Sequence, residues 1–219
     1  KMAMQYLEST YINQRDEILC RALGLTARHE RKASRDKGKY KEIKTHVYTP
    51  EERARIDEMV ITEPDRIRGQ KTRHWEEVNV GDTIDEIARG PLSASDTMAF
   101  VIASGRGAAH GALLRHAVKH PKHYIRNAKT GGGVEYTGIG HHREDFGVPG
   151  MYDYLPQRAC WFSTAVTNWM GDDAVLKRLR MEARLFNCQG DTTFITGKIV
   201  KKYVKDDCAL VDIEMKGIN

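Results

Sequence analysis

Apolar residues in the stretch 148–173 (VPGMYDYLPQRACWFSTAVTNWMGDD) recur at steps of four and three: Leu155, Ala159, Phe162, Val166 and Trp169. That is the period of one helical face, and Trp161, Ala165 and Met170 widen it. The spacing predicts one long, deeply buried helix. Asp153 is placed to cap its start, Pro156 falls in the first turn, and Gly171 stands where a C-cap belongs. A helix this apolar requires cover on most sides, and the chain after it has the pattern to provide it. Leu179, Met181, Ala183 and Leu185 alternate with Arg180, Glu182 and Arg184, which predicts a half-buried strand over 179–186. Gly190 and Asp191 turn the chain into a second strand over 192–203. A turn at Lys205, Asp206 and Asp207 leads to a third, in which Ala209, Val211, Ile213 and Met215 alternate with polar or outward positions. The last three residues read as the approach to a further turn, with a final strand expected beyond it.

The first part of the chain reads differently. Met4, Tyr6, Leu7, Tyr11, Ile18, Leu19, Leu23 and Leu25 are read as the apolar set of a helix over 2–25. The start inside this pattern, without an initiating methionine, raises the expectation of polypeptide upstream. Thr49 followed by Pro50, Glu51 and Glu52 is a clear helix start, and that helix is expected to run to about Val60. A polar loop follows over 64–72. Residues 1–72 therefore read as a helical, charged extension or linker, and 73–219 as the packed domain. Within the latter, 83–92 reads as a strand, and Ser95 as the cap of a short helix over 96–103 that Gly105 closes. A second helical stretch is expected over 108–119, then loops with one short strand near 134–137. The fold class is α+β: an antiparallel sheet around one long helix.

Composition leaves that picture intact. The chain is 40% hydrophobic and 30% charged, the balance of an ordinary globular protein, with no apolar run of membrane-spanning length. Cys20, Cys160, Cys188 and Cys208 are scattered and form no CxxC pair. This speaks against zinc and for reduced thiols, buried in apolar surroundings, in a cytoplasmic compartment. Net charge is +5, and eight basic against three acidic residues between Arg28 and Lys44 account for all of it. Tyr40 is the sole aromatic in that run, so it reads as a solvated segment and not as a nucleic-acid face. Some of its charges could meet the phosphates of a nucleotide-bearing substrate.

Few motifs carry chemistry. His141, His142, Arg143, Glu144 and Asp145 read as a polar loop, because adjacent histidines rarely serve one ion and no distal ligands are evident. Gly131, Gly132 and Gly133 lack the lysine and hydroxyl of a P-loop and read as a flexible loop. Ser104, Gly105, Arg106, Gly107, Ala108, Ala109 and His110 place an imidazole on a short turn near the predicted sheet; a histidine at a helix start is commonly structural.

The order of the segments RHWEEVNVGDTI, GPLSASD, a helix ending in Ser-Gly, the long apolar helix and QGDTTFITGKIV resembles the MaoC-like hot-dog family of (R)-specific enoyl-CoA hydratases and FAS1-like acyl dehydratases. The resemblance covers about 72–219, and 38–72 is similar to the linker between the halves of double-hot-dog members. It implies a sheet curled around one helix, pairing with a second copy or a second hot-dog half, and an acyl-CoA or acyl-carrier thioester as substrate. It implies no separate cofactor and no metal. Family members carry an Asp/His dyad in a Ser-Gly-Asp-x-Asn-Pro-x-His motif that activates water, with a backbone amide at the central helix start binding the thioester oxygen. Here Ser104 and Gly105 match, Arg106 stands where the aspartate would be, and His110 falls one residue short. A local catalytic set would be His110 as acid–base group with Asp153 as its orienter or partner, the amides near Tyr152–Tyr154 as the oxyanion site, and Gly105, Arg106, Tyr152 and Tyr154 on the substrate. Hydration or dehydration of a 2-enoyl or 3-hydroxyacyl thioester is the expected reaction of the assembly. A non-catalytic half that binds acyl-CoA is the alternative, and a hot-dog thioesterase using Asp153 is a weaker one.

Overall fold

The computed structural model describes residues 2–29, 46–104, 115, 118–119, 125–126, 134–135 and 151–219. The chain divides into two compact units, Lys1–Ile43 with His142–Pro149, and Lys44–His141 with Gly150–Asn219. No described helix is long and apolar enough to cross a membrane.

The described part of the first unit is an antiparallel hairpin, β1 (Met2–Ile12) and β2 (Ile18–His29). The helix expected over 2–25 is not formed. Its apolar set also fits a period of two across paired strands: Tyr6 faces Leu25 and Met4 faces Ala27, while Tyr11 faces Cys20 on the other side. The turn settles the choice. The Asn13 side chain accepts from the amides of Arg15 and Glu17 at 2.8 and 3.1 Å, and Asp16 adopts φ 60°. An Asn side chain that captures its own backbone two residues on makes a turn and stops a helix.

In the second unit, α1 (Pro50–Thr62) starts where the sequence indicates. The Thr49 hydroxyl accepts from Glu52 N at 3.2 Å, and the Glu52 carboxylate takes Thr49 N at 2.8 Å, a reciprocal capping box. Only Ile56 of this helix is buried, so its stability leans on the cap. Thr49→Ala is therefore expected to lower the stability of this unit by about 0.5–2 kcal/mol. Chemical denaturation reads the loss, and a change below the error of the measurement would show that the box is dispensable. The segment 46–72 belongs to the second unit and is tied into it. The Tyr48 hydroxyl donates to Gly190 O at 2.8 Å, and Arg89 grips Glu63 through two bonds of 2.6 Å, which hold the Glu63 carboxyl below its usual range.

Three strands, β3 (Thr83–Arg89), β6 (Thr193–Lys205) and β7 (Cys208–Ile218), form an antiparallel sheet in the order β3-β6-β7. A two-stranded ladder of β4 (Ile125–Arg126) and β5 (Val134–Glu135) stands apart from it; β5 falls in the strand expected near 134–137. The turn between β6 and β7 uses Asp206 and Asp207 at φ 51° and 57°, the left-handed pair that a tight hairpin requires. α2 (Ala94–Ala103) is capped by Ser93, not Ser95, because Asp96 at the third position completes a second capping box with Ser93. Of the helix expected over 108–119, only Arg115, Val118 and Lys119 are described, and they are helical.

α3 (Leu155–Met170) lies on the sheet as the sequence indicates and ends at Gly171, φ 79°. Ala165 of α3 joins Ile84, Ile87 and Ile195 in the core, with Trp161, Phe162, Trp169 and Met215 packed around them. The helix is covered on most sides but less deeply buried than its pattern predicts: Gln157, Ala165 and Val166 are its buried residues, and Pro156, Cys160 and Thr167 form an exposed stripe. The strand expected over 179–186 is not formed: residues 174–186 run without regular structure, and no described strand pairs with them. Alternation creates a face, but a strand also requires a neighbour for its amides and carbonyls.

All four cysteines are free thiols, but Cys20, Cys160 and Cys208 are exposed, and Cys188 alone is buried. Cys20 of β2 and Cys208 of β7 lie on strands with no further partner among the described residues and stand at the surface, where an apolar neighbourhood in sequence had pointed to burial.

Candidate functional site

The head of α3 is the one region where sequence-predicted site residues are described together. The chain enters it through Met151 to Tyr154. Tyr152 bridges to Cys188, Asp153 N donates to Asn187 O at 3.0 Å, and Gln189 N donates to Met151 O at 2.7 Å. The loop 187–192 thus acts as a short second strand beside the helix entry. It is held from the other side by Leu92, whose amide donates to Asp191 O and whose carbonyl accepts from Gly190 N, at 2.8 and 2.9 Å. The aromatic rings on this entry are packed: Tyr152 lies against Phe186 with centroids 4.6 Å apart, and Tyr154 stacks on Phe100 of α2 at 6.5 Å.

Asp153 does not cap the helix. Tyr154 occupies the cap position and makes no side-chain cap bond. Asp153 is 3% exposed and receives both arms of Arg158, Nε to Oδ2 at 2.5 Å and Nη2 to Oδ1 at 2.7 Å. Arg158 spends its remaining nitrogen on Leu185 O at 2.8 Å, and Asn187 Nδ2 reaches Asp153 Oδ2 at 3.5 Å. Asn187 is in turn fixed by Thr193, whose hydroxyl donates to its Oδ1 at 3.0 Å. Burial pushes the Asp153 carboxyl above its ordinary value, and the Arg158 bonds pull against that shift. A carboxylate forked by a guanidinium in this way is a structural anchor. Its lone pairs are already used, so it is poorly placed to take a proton from water.

What the head of α3 can do is bind negative charge. The first-turn amides of a helix have no intrahelical acceptor; here Pro156 offers none, and the Tyr154 side chain at the cap position does not bond those of Leu155 and Gln157. Gln157, in that same first turn, is 4% exposed, and its Oε1 has no hydrogen-bond partner among the described residues.

The structure brings Asp153, Tyr152 and Tyr154 together. Gly105, Arg106 and His110 lie outside the described residues, as do the histidine pair and most of the basic run. Among the described residues no group of His, Cys, Asp or Glu is placed to hold a metal ion. Sequence reading missed Arg158, Gln157 and Asn187. The signal was present for two of them: Arg158 is the single charged residue between Leu155 and Met170, and Gln157 is one of few polar ones. Asn187 carried none, because its role depends on the loop that returns it to Asp153. Comparison with protein-family models, with curated proteins and with solved structures finds no match to this chain.

Proposed function

We propose that this chain is a thioester-binding half of a hot-dog-type acyl-CoA hydratase or dehydratase, and that the acid–base groups come from its assembly partner. The observation that carries the reading is the uncapped first turn of α3 above an Asp153 already neutralised by Arg158. The helix terminus can take the carbonyl oxygen of a thioester, since its amides and dipole favour developing negative charge. The carboxylate beside it is committed, which argues against a local general base and against a thioesterase using Asp153. An α+β chain with antiparallel strands laid against one long helix is compatible with the fold this reading assumes.

Calorimetric titration with crotonyl-CoA and with free CoA tests it. Binding of the thioester at least tenfold tighter than CoA, with no hydration by the chain alone, is the expected result. Equal affinities, or no binding, would remove the reading. Steady hydration that is lost in His110→Ala would return the chemistry to this chain.

A further inference from the structure

We infer that Gln157 recognises the 3-hydroxyl of a 3-hydroxyacyl thioester and so selects the hydrated over the unsaturated ligand. The inference rests on the thioester-binding reading above. Gln157 stands at the third position of α3, after Leu155 and Pro156. It begins the stripe that Trp161 and Ala165 continue at steps of four, and this stripe meets the sheet. Ala165 is 2% exposed in the core, and Trp161 packs against that core. Gln157 itself is 4% exposed. An apolar side chain is the ordinary occupant of such a position, because an amide buried without partners loses its bonds to water and gains none. A glutamine at the third position of a helix commonly reaches back to the amide of the cap residue. Here no described residue donates to Gln157 Oε1, although that atom is shut off from solvent. Other buried polar groups at the helix head are matched: Asp153 by Arg158, and Asn187 by Thr193.

Position and chemistry select the ligand group. Helical side chains lean toward the N-terminus of their helix, so the Gln157 amide extends over the same first turn whose backbone amides lack a side-chain cap. Gln157 thus carries a backbone donor for the thioester oxygen and, a few bonds away, a side-chain acceptor. A 3-hydroxyacyl thioester carries the matching pair: a carbonyl oxygen that accepts, and a hydroxyl on the second carbon beyond the carbonyl. A hydroxyl both donates and accepts, so it serves the glutamine amide whichever of its two ends is presented. The 2-enoyl form has no polar group at that carbon and leaves the buried amide unmet. The amide of the CoA arm is a competing donor, but every acyl-CoA shares it, so it confers no preference among acyl groups.

Calorimetric titration with the two enantiomers of 3-hydroxybutyryl-CoA, with butyryl-CoA and with crotonyl-CoA tests this. The wild-type chain is expected to bind one hydroxylated enantiomer about tenfold tighter than butyryl-CoA, from which it differs only by the hydroxyl, and crotonyl-CoA should follow butyryl-CoA. Gln157→Leu nearly keeps the side-chain volume and removes both polar ends, and it should bring that ratio close to one. The variant should also unfold at a urea concentration no lower than wild type, because it removes an acceptor buried without a donor. Equal wild-type affinities for 3-hydroxybutyryl-CoA and butyryl-CoA, as when water or the CoA arm meets the amide, overturn the inference. So does a preference that survives in Gln157→Leu, or a variant clearly less stable than wild type, which would show that the fold itself uses the amide. Acyl-CoAs that bind no better than free CoA remove the thioester-binding reading and this inference with it. Acyl-CoAs that bind better than CoA but all alike remove this inference alone.

Discussion

Arg158→Ala is expected to destabilise the second unit by roughly 3–5 kcal/mol, the cost of leaving one partner of a buried ion pair alone. Asp153 would remain 3% exposed, with only the 3.5 Å approach of Asn187 Nδ2 and its own backbone for support. The Leu185 carbonyl would also lose its donor. The loss should depend on pH, with a definite sign. The folded-state pKa of Asp153 is already raised by burial above the ordinary 3.8, and removing Arg158 removes the largest influence opposing that rise. A carboxyl raised in the folded state gives stability that is complete below its unfolded pKa and is lost as pH rises through the folded one. The deficit of the variant against wild type should therefore be greatest at neutral pH and shrink as pH falls toward 4. Replacing both partners, Asp153→Leu with Arg158→Met, should recover much of the loss, since two apolar groups leave no orphaned charge. Urea denaturation at neutral and acid pH checks all three statements. A deficit that grows on acidification would contradict the account of the pair.

Gly90→Ala is expected to have an effect of similar size for a different reason. Gly90 adopts φ +134°, where an L side chain is strained, and a Cβ there would sit 2.5 Å from Asp191 O and 2.8 Å from Thr192 Cα. Neither atom is the tip of a flexible side chain, so the backbone itself must move. Strain and overpacking together place the cost at roughly 2–6 kcal/mol. Gly81→Ala is the control: φ is +104°, with nothing within 4 Å of the added carbon, so it should show the strain alone, about 1–3 kcal/mol. Equal losses at the two sites would mean that the close approach at Gly90 costs nothing. The Gly90 variant should also reach the candidate site. It displaces the loop 187–192, which holds Asn187 over Asp153 and accepts the Tyr48 hydroxyl at Gly190 O. Thioester affinity measured on this variant should fall along with its stability, whereas the Gly81 variant should keep its affinity.

Both predictions turn on residues whose importance was only half visible in the amino-acid order. The start of α1 was legible because a capping box is local: Thr49, Pro50 and Glu52 meet within one turn and consult nothing distant. α3 was legible because sixteen residues carry a full helical period and a glycine stop. The β6–β7 hairpin was legible because alternation flanks a two-aspartate turn. Asp153 was found as a residue and misread as a cap. Its proper partner, five positions on, competes with the helix amides, and a bidentate guanidinium outweighs a single backbone bond.

The sequence by itself determined the α3 helix, the strands β3, β6 and β7, the tight turns and the capped start of α1. Each is encoded in a window shorter than about twenty residues, where periodicity and cap chemistry act directly. Only the tertiary structure decided three other matters. Residues 2–29 are a hairpin, because their apolar positions suit two periods and the Asn13 turn breaks the tie. Residues 179–186 are no strand, although their alternation is the cleanest in the chain, because no described strand lies beside them. The Asp153 carboxylate is an anchor, because the fold brings Arg158 and Asn187 onto it. Pairing and burial are properties of neighbours far along the chain, and a local pattern records a residue's readiness for them without naming the partner.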